Sequence, residues 1–217
     1  MGFREELVTS NQHILNRSHE CRFIREVRSG SLDSQDAFNY AILEGDFVVD
    51  AARLVGAAVS SSPDDHSLME HCGALEDLVS VQRPYLERLA GRLAPCGVTT
   101  ERSTTASTHS LAALAARVRD SGDYGLILTV CFATEIFYLR WCEGVLGPVS
   151  GSRYLDDWVR MHTTSEFRRR VEFLGSEIDR LDPEKYLQDE LSKLFFETIQ
   201  CEIDFHDLVY GGRAWIR

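Results

Sequence analysis

The chain has 217 residues, of which 44% are apolar and 26% charged, an ordinary globular balance with enough apolar side chain for a real core. Its formal net charge of −11 argues against nucleic acid and anionic membrane surfaces as main partners. Its six cysteines form no C-x-x-C pair and no zinc spacing, so reduced thiols in a soluble, cytoplasmic protein are expected.

No period-2 alternation persists, whereas a period near 3.6 runs through nearly the whole sequence. Residues 3–28 are predicted as a first helix, with Leu7, Ile14, Cys21 and Ile24 among its apolar positions. The SGSLDS turn, with Asp33 or Ser34 as cap, leads into a second helix over 35–58. Ser62-Pro63-Asp64-Asp65 reads as a cap with proline in the first turn, opening a third helix that reaches about Leu93. After the polar APCGVTTERSTTAS segment, Ser107 or Thr108 opens a helix through LAALAARVRD. Asp123 opens an apolar helix to about Val145, and GPVSGS is a loop. SRYLDDWVRMH is helical, and Thr164 caps SEFRRRVEFLGSEIDRL. Asp182-Pro183 caps a last long helix that runs to about Tyr210, where Gly211-Gly212 stops it. The reading is an all-α, single-domain helical bundle of about seven to eight helices over residues 1–217. No apolar signal region opens the sequence, and the sixteen-residue run YGLILTVCFATEIFYL is too short and interrupted to span a bilayer.

That run holds one charge, Glu135, and an ionised carboxylate is costly to bury unless it is paired. On a helix Cys131, Glu135, Tyr138 and Cys142 share a face, so a thiol, a carboxyl and a phenol point the same way. A core Glu paired to a neighbouring Arg explains the position equally well. Asp46 lies in another mostly apolar helix, beside Gly45, where a second backbone or a ligand can come close; the alternative is a solvent face shared with Asp50. Glu202 shares a face with Thr198, Phe205 and His206, and its E-x-x-x-H spacing offers two metal ligands or simply a solvated i,i+4 pair. His162 closes a helix, where it either serves the site or satisfies the last carbonyls. Phe47, Phe132, Trp158 and Phe205 can stack on a flat ligand or pack the core. G-x-S-x-G, P-loop, G-x-G-x-x-G and H-E-x-x-H motifs are absent, so serine hydrolysis, standard nucleotide binding and zincin chemistry have no support.

Four stretches in order resemble the TenA/thiaminase-II family, whose fold is haem-oxygenase-like and all-α. RFIREVRSGSLDSQDAFNYAILEGDFVVDAARL is similar to its "F…G-x-L…F…Y…QDY" start, TVCFATEIFYLRWCEGV to its central helix, SRYLDDWVRMHTTSEFRRRVEFL to its "Y-x-x-W…F…V" segment, and ETIQCEIDFHDLVYGG to its last helix. CFATEIFY resembles the Glu-type branch, with Glu135 on that branch's Glu, while Cys131 stands where Cys-type members carry a thiol. Several aromatic positions depart from the pattern. The family's Q-D pair is Gly45-Asp46, its second D-Y-x-Y aromatic is Val49, the Tyr closing the Trp-containing helix is His162, and the Trp of E-x-x-F-W is His206.

The resemblance implies hydrolysis of a C–N bond at the methylene carbon of an aminopyrimidine, as in thiamin salvage, with no cofactor and no metal. Asp46 would hold the ring's N–C–N edge, Glu135 and Glu202 would share the acid and base roles, and Cys131 would be pocket wall or nucleophile. Phe47, Val49, Tyr138, His162, Phe205 and His206 would surround the substrate, and the assembly would be a homotetramer. Two alternatives stay open. One is a dimetal oxidase on the same scaffold, with Asp46, Glu70, His71, Glu135, Glu202 and His206 as ligands. The other is a non-catalytic ligand-binding protein of TenA type.

Overall fold

Among the described residues five of the α-helices begin where a side chain accepts a hydrogen bond from one of the first free backbone N–H groups. The computed structural model describes residues 2–95, 109–145 and 154–211, and among these there is no strand. The expected loop around 96–108, including Cys96, Ser107 and Thr108, lies outside the described residues, as do the GPVSGS segment and Gly212.

The predicted first helix is three: α1 (Phe3–Ser10), α2 (Gln12–Ser18) and α3 (Arg22–Ser29). The breaks at Asn11 and Cys21 let Leu7, Ile14 and Leu15, and then Phe23, Ile24 and Val27, all face the core, each with no exposure. Asn11 supports its own break by donating from Nδ2 to the carbonyls of Leu7 and Ser192. Helix α3 stops at Gly30, whose φ of 72° is left-handed, with Ser31 N–H donating back to Glu26.

Helix α4 (Ser34–Ser61) starts at Asp33, which accepts from Asp36 N at 2.8 Å. Helix α5 (Asp65–Asp77) starts at Asp64, which accepts from Ser67 N at 2.8 Å, so Pro63 precedes the cap instead of entering the first turn. A π-helical turn (Leu78–Gln82) joins α5 to α6 (Arg83–Leu93). His109 caps α7 (Ser110–Ser121), accepting from Ala112 N at 3.1 Å. Asp123 opens α8 (Tyr124–Val145), and α9 (Asp156–Met161) is shorter than the segment predicted for it. Thr164 caps α10 (Ser165–Asp179). Asp182 caps only the turn before the last helix, accepting from Glu184 N, and α11 (Gln188–Asp207) begins at Gln188 with a 3-10 turn over Leu208–Tyr210.

Helix α8 is the centre of the molecule and packs on α4, α7, α10 and α11. It runs past Leu139, so it is long and apolar enough to cross a membrane, contrary to the expectation above. In this fold, however, 67% of its apolar window is buried against other helices, with Phe132, Phe137 and Trp141 among the largest buried side chains. Cys21, Cys72, Cys131, Cys142 and Cys201 are free thiols.

Helices α4 and α8 run antiparallel. Tyr138, late in α8, reaches Glu44, early in α4. Tyr124, at the start of α8, meets His71 and Glu177 beside Ser67, which follows the end of α4. The α5–π–α6 rod returns along α4, with Leu86 Cβ 3.7 Å from where a Cβ on Gly45 would stand. Gly45 therefore faces α6, and that distance leaves room for an alanine.

Candidate active site

A stripe of α4 at helical spacing, Glu44, Phe47, Val48, Ala51, Leu54 and Val55, forms one wall of a cavity. Val130, Cys131, Thr134, Glu135 and Tyr138 of α8 form the facing wall. Leu78 and Gln82 of the π-helical turn and His162 after α9 complete it. The cavity has a volume of about 60 Å³ and is partly open to solvent.

Of the residues predicted for the site, Glu135, Cys131, Phe47, Tyr138 and His162 line this cavity, whereas Asp46, Val49, Glu202, Phe205 and His206 do not. The acid that α4 presents is Glu44. At 3.6 residues per turn, Asp46 is rotated about 200° from Glu44, onto the far side of the helix, where it is half-buried. Val49 is also half-buried and off the stripe. Phe205 lies behind Phe47, ring centres 5.5 Å apart. His206 is fully buried among Phe23, Tyr40, Phe137 and Tyr138, its Nδ1 bound to the Glu202 carbonyl at 2.7 Å.

The acids of the cavity are unusual in charge. Burial pushes the Glu44 carboxyl up to about 7, against the pull of the Tyr138 hydroxyl, which donates to its Oε2 at 2.8 Å. Burial likewise pushes Glu135 up to about 7; Arg170, 4.0 Å away, opposes the rise and Asp77 adds to it. Arg170 also holds Asp77 at 3.1 Å, and Asp77 accepts from Gln82 Nε2 at 2.8 Å, which ties α10 to the π-helical turn. Both acids therefore exchange a proton near neutrality, as an acid–base catalyst needs.

Cys131 is pushed up to about 12, first by burial and then by the Glu135 charge, which leaves it a thiol. His162 falls to about 4 through burial, so it is a neutral imidazole, with Nδ1 2.8 Å from the Trp158 carbonyl. A proton on Nδ1 leaves Nε2 as an acceptor. Glu202 has no exposure, and among the described residues neither of its oxygens meets a hydrogen-bond partner in good geometry. Burial and the Glu44 charge push it well above the carboxylate range, while the Thr134 hydroxyl favours the charged form. Glu202 is thus a neutral acid behind the cavity, next to Thr134 on its wall.

Among the described residues no three His, Cys, Asp or Glu side chains gather to hold a metal ion. Two of the ligands considered for a dimetal oxidase are engaged elsewhere: Glu70 pairs with Arg169 at 2.8 Å, and His71 Nε2 lies 3.1 Å from the Tyr124 hydroxyl. The sequence reading missed Glu44, Thr134, Gln82 and Arg170. For Glu44 a signal existed, since it falls on the apolar stripe of Phe47, Val48, Ala51 and Val55, and Asp46 does not.

No protein-family model matches the sequence, and no curated protein matches it. Solved structures do. A TenA homologue from P. horikoshii OT3 superposes with a TM-score of 0.81 at 18% identity, covering 98% of this chain and 100% of that one. A TenA-like thiaminase candidate from Sulfolobus solfataricus P2 gives 0.78 at 18% identity over the whole of both chains. A TenA family transcription regulator from Silicibacter sp. TM1040 gives 0.75 at 14% identity, covering 94% of each. The chain has the helical fold of the TenA homologues over nearly its full length.

Proposed function

We propose that this chain hydrolyses the C–N bond of an aminopyrimidine-type compound, R–CH₂–NHR′ + H₂O → R–CH₂–OH + H₂N–R′, as a cytoplasmic TenA-like enzyme of thiamin salvage or degradation. The observation that carries this reading is the presence of Glu44, buried, and Glu135, half-buried, on one cavity, both with proton affinity near neutral pH. A carboxyl that both donates and accepts matches the amino and ring-nitrogen edge of an aminopyrimidine, and Glu44, steadied by Tyr138, takes that role in place of Asp46. Phe47 and the apolar residues of α4 supply a face for the ring.

Glu135 in its acid form protonates the leaving nitrogen as the C–N bond breaks. The resulting carboxylate, beside Arg170, takes the proton of the water that attacks the methylene carbon, which restores Glu135. Cys131 remains a thiol and serves as wall. Glu202 acts as a positioning residue through Thr134 rather than by touching substrate. Likeness in fold to a TenA-like thiaminase candidate supports the reaction class. The test is incubation with a 4-amino-5-(aminomethyl)pyrimidine and chromatographic detection of the hydroxymethyl product. Absence of product from pH 5 to 9 refutes the reading. The family resemblance also implies a homotetramer, and light scattering that gives a monomer mass at micromolar protein refutes that part.

A further inference from the structure

The cavity is polar at one end and aliphatic at the other. Glu44 pairs with Tyr138 at one end. Because α4 and α8 are antiparallel, Glu135 falls about one turn further along, opposite Val48. Beyond it come Ala51, Leu54 and Val55 from α4, Val130 from α8 and Leu78 from the π-helical turn. The placement of Leu78 follows from that of Leu86, which packs at Gly45, two turns of rod away from it. From Glu44 to Val55 the stripe extends about 16 Å along α4, longer than one six-membered ring. Among the described residues no charged residue lines the cavity beyond Glu135. A leaving group with a fixed charge would lose its hydration there with nothing to replace it, whereas an alkyl group would exchange water for Leu, Val and Ala side chains.

Resting on the hydrolytic reading of this site, we infer that the substrate class is an aminopyrimidine whose leaving amine carries a neutral aliphatic substituent. The ring edge meets Glu44, the scissile bond lies at Glu135, and the substituent fills the space bounded by Ala51, Leu54, Val55, Leu78 and Val130. In the reaction the C–N bond to the alkylamine breaks, a C–O bond to water forms, and the alkylamine leaves with the proton from Glu135.

The test uses the full chain and 4-amino-5-(N-alkylaminomethyl)pyrimidines from N-methyl to N-hexyl. The expected result is a rise in kcat/KM of about threefold to fourfold per methylene over the shorter members. Ala51→Phe, which shortens the aliphatic end, should lower the ratio of N-hexyl to N-methyl turnover, and the nearly isosteric Val55→Thr should lower it less. Hydrolysis of the N-methyl compound with a flat or falling trend along the series overturns the inference and leaves the hydrolytic reading standing. If no member is hydrolysed, the hydrolytic reading fails, and calorimetric Kd values along the same series decide the ligand class. Tightening with each methylene upholds it, and a flat or undetectable affinity overturns it.

Discussion

The Tyr138 hydroxyl donates to Glu44 Oε2 at 2.8 Å, joining the late part of α8 to the early part of α4. That bond holds the α4 acid at the polar end of the cavity. Loss of one charge-assisted ring contact costs about tenfold to a hundredfold, so Glu44→Gln is expected to lower kcat/KM for an aminopyrimidine by that factor, mostly through KM. Asp46→Asn, on the far side of the helix, should change it less than about threefold. Steady-state kinetics on both variants decide the matter. A larger loss for Asp46→Asn than for Glu44→Gln would mean that the face of α4 assigned to the substrate is wrong.

The chemistry rests on Glu135. Removing a general acid or base costs about 10²–10⁴ in rate, so Glu135→Gln should fall in that range while Cys131→Ser, already a thiol wall, loses less than about tenfold. The active form of Glu135 is protonated, so kcat/KM should fall as pH rises through about 7. Arg170 lowers the Glu135 pKa, and Arg170→Met should therefore shift that alkaline limb upward. If Cys131→Ser abolishes turnover and Glu135→Gln is mild, a thiolate mechanism operates instead.

The fold was legible because helical period and caps are local signals. Asp33, Asp123 and Thr164 each accept from the N–H they were suited to, whereas α5 is capped by Asp64 and not by Ser62. The breaks at Asn11 and Cys21 were not legible, because they answer to where the core lies and not to any breaker residue. Glu135 was legible as a lone charge in an apolar helix. Glu44 was overlooked for Asp46 because the family pattern was laid on the Gly45-Asp46 pair, although the phase of the helix favours Glu44. Arg170 and Gln82 come from other elements, and their approach to Glu135 and Asp77 is a tertiary fact.

Glu202 offers a contrast with Glu135. It is buried behind Thr134 as a neutral acid, and Gln is a neutral isostere. Glu202→Gln should therefore retain activity within about tenfold, with an unchanged alkaline limb. Glu202→Ala opens a void beside Glu44 and should raise KM and lower Tm. A loss for Glu202→Gln in the range of general acid–base catalysis, about 10² or more, would show that Glu202 itself transfers a proton to substrate.

Glu44 also gives the fold a pH dependence whose sign follows from its shift. Burial raises its pKa from 4.5 in the unfolded chain to about 7 in the folded one. Between those values the folded state binds the extra proton, so the stability tied to this group is full below 4.5 and is lost as pH rises through about 7. The loss amounts to roughly 3 kcal/mol when complete, taking about 1.4 kcal/mol per unit. His162 and His206, both lowered to about 4, act in the opposite sense, since the stability from their neutral forms is lost as pH falls from 6.5 through about 4. The two trends overlap in the wild-type protein, so the comparison must be made against a variant that lacks only the carboxyl. Glu44→Gln removes the titration and leaves the histidines, and its Tm relative to wild type should climb as the pH goes from 5 to 8. Parallel melts by circular dichroism at pH 5, 6, 7 and 8 measure that difference. A difference that stays constant over this window would mean that Glu44 folds with an ordinary carboxylate pKa, and its role at the ring edge would then be that of a permanent anion.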